Sequence, residues 1–217
     1  EDIMVYRDIA LLEKTGGRLH VAHISSKNSV DLVRQAKSRG LSVTCEVAPH
    51  HFTLTDEAVR GYDTNTKMSP PLRTISDVDA IKKGLKDGTI DIIATDHAPH
   101  DIVDKQVEYQ NACFGIVGLE TALPLSLKLV DEKILSMSEL IKKLTSTPAG
   151  IFNLSSGNLS LGNDADILIF NPNFEYSIDI SKFHSKSKNS PFDGWKVKGK
   201  VIRTLVRGKT VYPTIEN

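Results

Sequence analysis

No sign of charge dominates this sequence. Lysine plus arginine and aspartate plus glutamate each number 27, and the formal net charge is zero. A protein that tracks phosphate backbones carries a basic surplus, so nucleic acid is not an expected partner. Long apolar runs are also missing. The runs present, such as "DIIA" and "ADILIF", fall far short of the roughly 20 residues a bilayer-spanning helix needs, so no membrane partner is expected either. Cysteine is scarce: Cys45 and Cys113 have neither CxxC spacing nor a disulfide-rich context, and each reads as a buried thiol. No secretory signal is visible, which sets the expectation of a reducing cytoplasm. No G-x-S-x-G motif marks a nucleophilic serine.

What remains is an ordinary globular balance, 40% hydrophobic and 25% charged over 217 residues, enough for one large domain or one domain with an appendage. The chain opens at Glu1 rather than methionine. Residues 2–14 already read as helix, with Met4, Val5, Ile9 and Leu12 at helical spacing. A domain seldom starts inside a helix, so the chain is expected to be the later part of something longer.

Strand and helix then alternate. "LHVAHI" (19–24) reads as a buried strand. The following helix places Val30, Val33 and Ala36 on one face and ends at Gly40. "LSVTCEVAP" is a second strand with Val43, Cys45 and Val47 alternating, and residues 50–73 form a loop containing "SPPLR". A helix is predicted from Ser76, with Ser76 and Asp79 as a capping box and Val78, Ile81 and Leu85 inward, ending at Gly88. "TIDIIATD" (89–96) is the third strand, followed by a loop over 97–116. Pro124 should kink the helix in "VGLETALPLSLKLV", Ser136 and Glu139 form another capping box, and Pro148 suits a first helical turn. Strands apolar enough to be covered on both faces argue for a parallel sheet with helices outside, doubly wound or a barrel. From Gly157 the chain becomes β-rich around an irregular "SKFHSKSKNSPFDGW". Residues 157–217 are expected to form a small β appendage that needs partner strands from elsewhere, leaving 1–156 to the α/β part.

The chemistry gathers at strand ends. His23 ends "LHVAHI" and Asp96 ends "DIIATD". In a parallel barrel such positions converge on one mouth, and an imidazole with a carboxylate there are natural ligands for zinc. A satisfied core histidine and a helix-capping aspartate would look the same, and spacing alone leaves both readings open. His50, His51, His97 and His100 could likewise be loop residues.

The stretches "GGRLHVAHISS", "VTCEVAPHH", "KMSPPLR", "ATDHAPH", "FGIVGLETALPL", "TPAGIFNL" and "GNDADILIF" decide between them. In this order they resemble the dihydroorotases of the long bacterial type, in the cyclic-amidohydrolase branch of the amidohydrolase superfamily. The resemblance implies the C-terminal part of a (β/α)8 metal-dependent hydrolase barrel plus a small β-sandwich segment. It also implies zinc, two ions per complete site, and reversible conversion of N-carbamoyl-L-aspartate to L-dihydroorotate in pyrimidine synthesis. By position, His23 and Asp96 match metal ligands. Asp96 also matches the general base and acid serving a metal-activated water, and His100 a substrate contact. Phe114 and Gly115 close the substrate loop of residues 101–113. Ser69 stands where the family commonly has asparagine, which opens the door to hydantoinase- or allantoinase-type substrates. The H-x-H pair, the substrate arginine, the bridging lysine or aspartate and a further histidine are not in this chain, and the order of motifs puts them upstream. This stretch alone is expected to be inactive. The resemblance allows a homodimer or association with another pyrimidine enzyme. A non-catalytic homologue acting as such a partner is the alternative of a different class.

Overall fold

The computed structural model describes residues 1–213. Helix α1 (Asp2–Thr15) buries Val5, Ile9 and Leu12, while Met4 is 49% exposed, one position off the inward stripe. Glu1 and Asp2 do more than begin the helix. The Glu1 carboxylate accepts the Ser25 (2.8 Å) and Ser26 (3.1 Å) N–H groups and meets Arg73, and Asp2 accepts the Ser29 hydroxyl (3.0 Å). They fasten α1 to the start of α2 (Lys27–Ser38), whose N-cap is Ser26 and whose inner Val30, Val33 and Ala36 are fully buried. Each such valine contributes about 1.5–3 kcal/mol by leaving water.

Strand β1 (Leu19–Val21) precedes α2, and β2 (Val43–Val47) follows it. Next come α3 (Pro49–Thr53), two single 3₁₀ turns over Asp56–Val59 and Thr64–Thr66, α4 (Ile75–Asp87) and β3 (Ile92–Ile93). The segment 50–73, expected as loop, is thus partly helical. β1, β2 and β3 pair in that order, all parallel, with Leu19 opposite Val43 and Glu46 opposite Ile92. The parallel sheet was expected, but β1 and β3 are shorter than their apolar runs. In both, the hydrogen-bond ladder resumes or persists beyond the strand, as Ile24 N–H donates to the Glu46 carbonyl (3.0 Å) and Ala94 N–H to that of Val47 (3.1 Å). Between and after those bonds the chain is bent by left-handed residues, described below.

Two end signals differ from expectation. α4 is capped at Thr74, not Ser76, and the Thr74 hydroxyl donates to Asp77 (2.6 Å) rather than to a Ser76/Asp79 box. The sequence offers two hydroxyls two residues apart, and the apolar period does not choose between them. Pro124 makes no kink, because α6 (Ala122–Asp131) begins only two residues before it, and proline is at home in a first turn. Before α6, the loop holds the short α5 (Ile102–Lys105). After it come α7 (Met137–Leu144), with the expected reciprocal box between Ser136 and Glu139, and α8 (Ser146–Ile151), with Pro148 in its first turn.

Strands β4 (Ile167–Ser177), β5 (Lys196–Val206) and β6 (Lys209–Tyr212) form one antiparallel sheet. One apolar cluster unites α1, α2, α4, α6, α7 and the parallel strands. A second joins Leu54, Met68, Leu72, Ile116 and Leu125 to Ile178, Phe192 and Val197 of the β-rich segment. Phe192, 1% exposed and edge-on to Trp195, is its anchor. Among the described residues no helix is long and apolar enough to cross a membrane.

Candidate active site

The ends of the parallel strands carry a compact set of titratable side chains. His23 follows β1 and Asp96 follows β3, both with the chain in the left-handed region, at φ 49° and 48°. That conformation is uncommon for non-glycine residues and costs about 1 kcal/mol or more, a strain typical of side chains aimed for function. The bends bring His23 Nε2 to 3.6 Å from Asp96 Oδ1. Behind them stands Glu46 of β2, 8% exposed. His23 Nδ1 lies 2.8 Å from its Oε1, and His20 Nε2 donates to its Oε2 (3.1 Å). The register puts His20 of β1 opposite Thr44, whose hydroxyl meets His20 Nδ1 at 2.8 Å.

Electrostatics follow from this geometry. Burial pushes the Glu46 carboxyl up, but the hydrogen bond from His20, the contact with His23 and the charges of both rings outweigh it and hold it at about 2. The Glu46 contact raises His23, burial opposes this, and Asp96 adds to the rise. Burial raises the Asp96 carboxyl; His23 pulls it down and Glu46 pushes it further up. One carboxylate is therefore fixed as an anion that orients His23, while the other holds a proton more readily than an ordinary aspartate.

Beneath this group, α3 buries His50 and His51, each 2% exposed, with ring centres 4.2 Å apart. His51 Nε2–H donates to the Pro70 carbonyl (2.9 Å). Burial drives His50 well down, and it brings His51 to about 4 against that bond and the pull of Glu1. An unfolded chain takes up a proton at His51 near pH 6.5, whereas the folded one resists until about pH 4. The contribution is complete above pH 6.5 and is lost as pH falls through that window, by up to about 3 kcal/mol. His51→Gln, which can still donate to Pro70, is expected to flatten this part of a stability-against-pH curve measured by urea unfolding.

A second assembly lies at the loop 97–116. His97 Nδ1 accepts the N–H of Gly118 (3.0 Å) and Leu119 (3.4 Å), so this histidine turns a corner. His100 Nε2–H donates to the Phe114 carbonyl (2.7 Å), and Phe114 itself is 57% exposed. The Gly115 N–H donates to the Lys67 carbonyl (2.9 Å), tying the loop to the segment that carries exposed Ser69. Buried Lys105 donates to the carbonyls of Cys113 (2.9 Å) and Gly115 (3.1 Å). Asn189, reaching from the β-rich segment, donates to the carbonyls of Ala98 (2.9 Å) and Gly115 (3.1 Å) and accepts the His100 N–H (3.4 Å).

The structure thus brings His23 and Asp96 together and, beside Asp96 in sequence, sets His100, Phe114 and Gly115 on one loop. Ser69 makes no hydrogen bond among the described residues. Glu46, in contact with His20 and His23, and Asn189, bonded to the loop that carries His100, are positions that the sequence reading did not single out. A charged residue inside the apolar "VTCEV" was a signal for Glu46; nothing local marked Asn189.

A model of the amidohydrolase family matches residues 3–211. The chain belongs to the amidohydrolase family. Among proteins similar to this amidohydrolase chain are those named dihydroorotase from Syntrophus aciditrophicus (strain SB), 54% identical over 212 residues, and from Geotalea daltonii (strain DSM 22248 / JCM 15807 / FRC-32), 56% identical over 212 residues. Each alignment covers 98% of this chain and 50% of the relative, so the chain spans about half the length of the curated relatives it matches. Among solved structures, the L-hydantoinase (dihydropyrimidinase) from Arthrobacter aurescens is 34% identical with a TM-score of 0.91. The dihydropyrimidinase from Brevibacillus agri NCHU1002 is 25% identical with a TM-score of 0.92. Both matches cover 97% of this chain and 48% of the other. The expected α/β class, a section of an amidohydrolase barrel followed by a β-rich segment, holds.

Proposed function

We propose that the complete protein is a dihydroorotase, a zinc-dependent hydrolase that interconverts L-dihydroorotate and N-carbamoyl-L-aspartate in pyrimidine synthesis in the cytoplasm, and that this chain supplies one side of its active site. The observation that carries the reading is the 3.6 Å approach of His23 Nε2 to Asp96 Oδ1 at the ends of parallel strands, with Glu46 behind the imidazole. The family membership and the similar proteins named dihydroorotase support it.

The donor set fits a metal. An imidazole backed by a carboxylate on its other ring nitrogen is the usual arrangement of a metal-bound histidine, because the second partner fixes ring orientation and raises basicity. His23 and Asp96 would hold zinc, two ions in the complete site. Bound zinc supplies Lewis acidity and lowers the pKa of water. Asp96 takes the proton from the attacking water and returns it to the ring nitrogen that leaves. Its half-buried carboxyl and its left-handed backbone aim a proton carrier at the strand mouth. His100, anchored through Nε2 to Phe114, turns its other edge to the substrate oxygens. Main-chain groups at Phe114 and Gly115, with the Ser69 hydroxyl across from them, line the pyrimidine ring. The half-exposed Ile169 (47%), Ile202 (48%) and Val211 (50%) on the antiparallel sheet support the reading that further strands cover it, as an appendage over 157–217 requires.

A hydantoinase-type substrate is the second reading, favoured by Ser69 and by the likeness to hydantoinase structures. Assay of the complete protein against dihydroorotate, hydantoin and allantoin separates the two. Turnover of dihydroorotate is expected. Turnover of hydantoin or allantoin alone would transfer the assignment to the second reading, and turnover of none would leave a non-catalytic homologue.

A further inference from the structure

The loop 97–116 holds another group of metal-type donors, remote in kind from the His23–Asp96 pair. Asp101 caps α5 through Val103 N–H (3.1 Å), and the Cys113 N–H donates to the Asp104 carbonyl (3.2 Å). With the Lys105 and His100 bonds to the Cys113 and Phe114 carbonyls, the loop is drawn together at its neck. Three side chains are left side by side. One ligand atom from each of His100, Asp104 and Cys113 lies within 4.8 Å of the other two. Cys113 is not the buried thiol expected from the sequence but half-buried, as is His100, while Asp104 is exposed.

We propose that His100, Asp104 and Cys113 bind a borderline-soft divalent cation of the zinc type. Thiolate, imidazole and carboxylate are the three side-chain donors such an ion accepts, whereas magnesium and calcium would refuse the sulfur. Donor atoms around a tetrahedral zinc stand about 3.3–3.8 Å apart, from bond lengths of about 2.0 Å to nitrogen and 2.3 Å to sulfur. The trio therefore needs to contract by up to about 1.5 Å, and exposed Asp104 is free to swing. The main-chain bonds that draw the neck together hold the Cα positions before any ion arrives, so the ordering cost of binding is small. Three protein ligands leave a fourth position on the solvent side. The assignment does not rest on the hydrolase reading, and the two compete for His100: its Nε2–H is taken by the Phe114 carbonyl, so an ion held at Nδ1 excludes the substrate contact there.

Cobalt(II) titration of the metal-free 217-residue chain tests it, because a cobalt–thiolate bond gives a near-ultraviolet charge-transfer band. The sequence has two cysteines, and Cys45 is fully buried with its thiol pushed up by burial to about 12, so the band reports Cys113. A band saturating at about one cobalt per chain and displaced by zinc is expected. It should vanish in Cys113→Ser, weaken about tenfold or more in affinity in both Asp104→Ala and His100→Ala, and persist in Asp96→Asn. No band at saturating cobalt, or a band whose affinity is unchanged in both alanine variants, overturns the site. Absence of cyclic-amide turnover by the complete protein, with the band intact, would instead sink the hydrolase reading and leave this site standing.

Discussion

Asp96→Asn in the complete protein is expected to lower turnover about 10³-fold while the protein stays folded. The asparagine has the same shape, but it cannot carry the proton that hydrolysis must move, a role worth about 10²–10⁴ in rate. It is also the weaker metal ligand, so zinc content should fall. Stability should not. At φ 48° the site is in the left-handed region, which asparagine adopts at least as readily as aspartate. The substitution also removes a carboxyl that burial and Glu46 disfavour as an anion. Thermal unfolding, metal analysis and kcat on one preparation check all three, and turnover within tenfold of the parent would refute the role given to Asp96.

Gly115→Ala should be the most damaging single methyl group in this region. Gly115 has φ 113°, outside the range that side-chain-bearing residues adopt, and an added Cβ would lie 2.4 Å from the Ala98 Cβ. Carbon atoms in contact sit about 3.5–4.0 Å apart, so the loop must move. Movement is costly because the residue is held by the Lys67 carbonyl on one side and by Lys105 and Asn189 on the other. A loss of about 3 kcal/mol or more is expected, corresponding to roughly 6–12 °C in Tm for a chain of this size. Gly162→Ala is the control. It has φ 94° but nothing within 4 Å of the added carbon, so it isolates the backbone cost of about 1–2 kcal/mol. Equal losses in the two variants would mean that the packing against Ala98 yields without penalty.

The helices and the parallel order of the strands were legible because their signal is local. Val30, Val33 and Ala36 recur at helical spacing, "VTCEV" alternates, and Gly88 ends α4 in the left-handed conformation it alone adopts freely. Cap choice at Thr74 and the harmless position of Pro124 depend on where the first turn starts, which periodicity locates only to within a residue or two. At the site, the strand ends made His23 and Asp96 candidates, and only the family resemblance chose the metal-ligand reading for them. Glu46 could be suspected, since a carboxylate is costly in an apolar strand without partners. That its partners are His20 and His23 follows only from the pairing of β1 with β2, 24 residues apart in register. Asn189 was invisible for a stronger reason: its bonds cross 74 to 91 residues, between a segment that looks irregular and a loop that looks free.

Those bonds make the loop and the sheet one melting unit. The Ala98 and Gly115 carbonyls are satisfied by the side chain of Asn189, three residues before Phe192, which is buried in the second apolar cluster. Fraying of β4 or β5 would withdraw Asn189 and release the loop that carries His100 and Cys113, so the lifetime of a shaped active site is governed by the cohesion of a sheet that contributes no ligand to it.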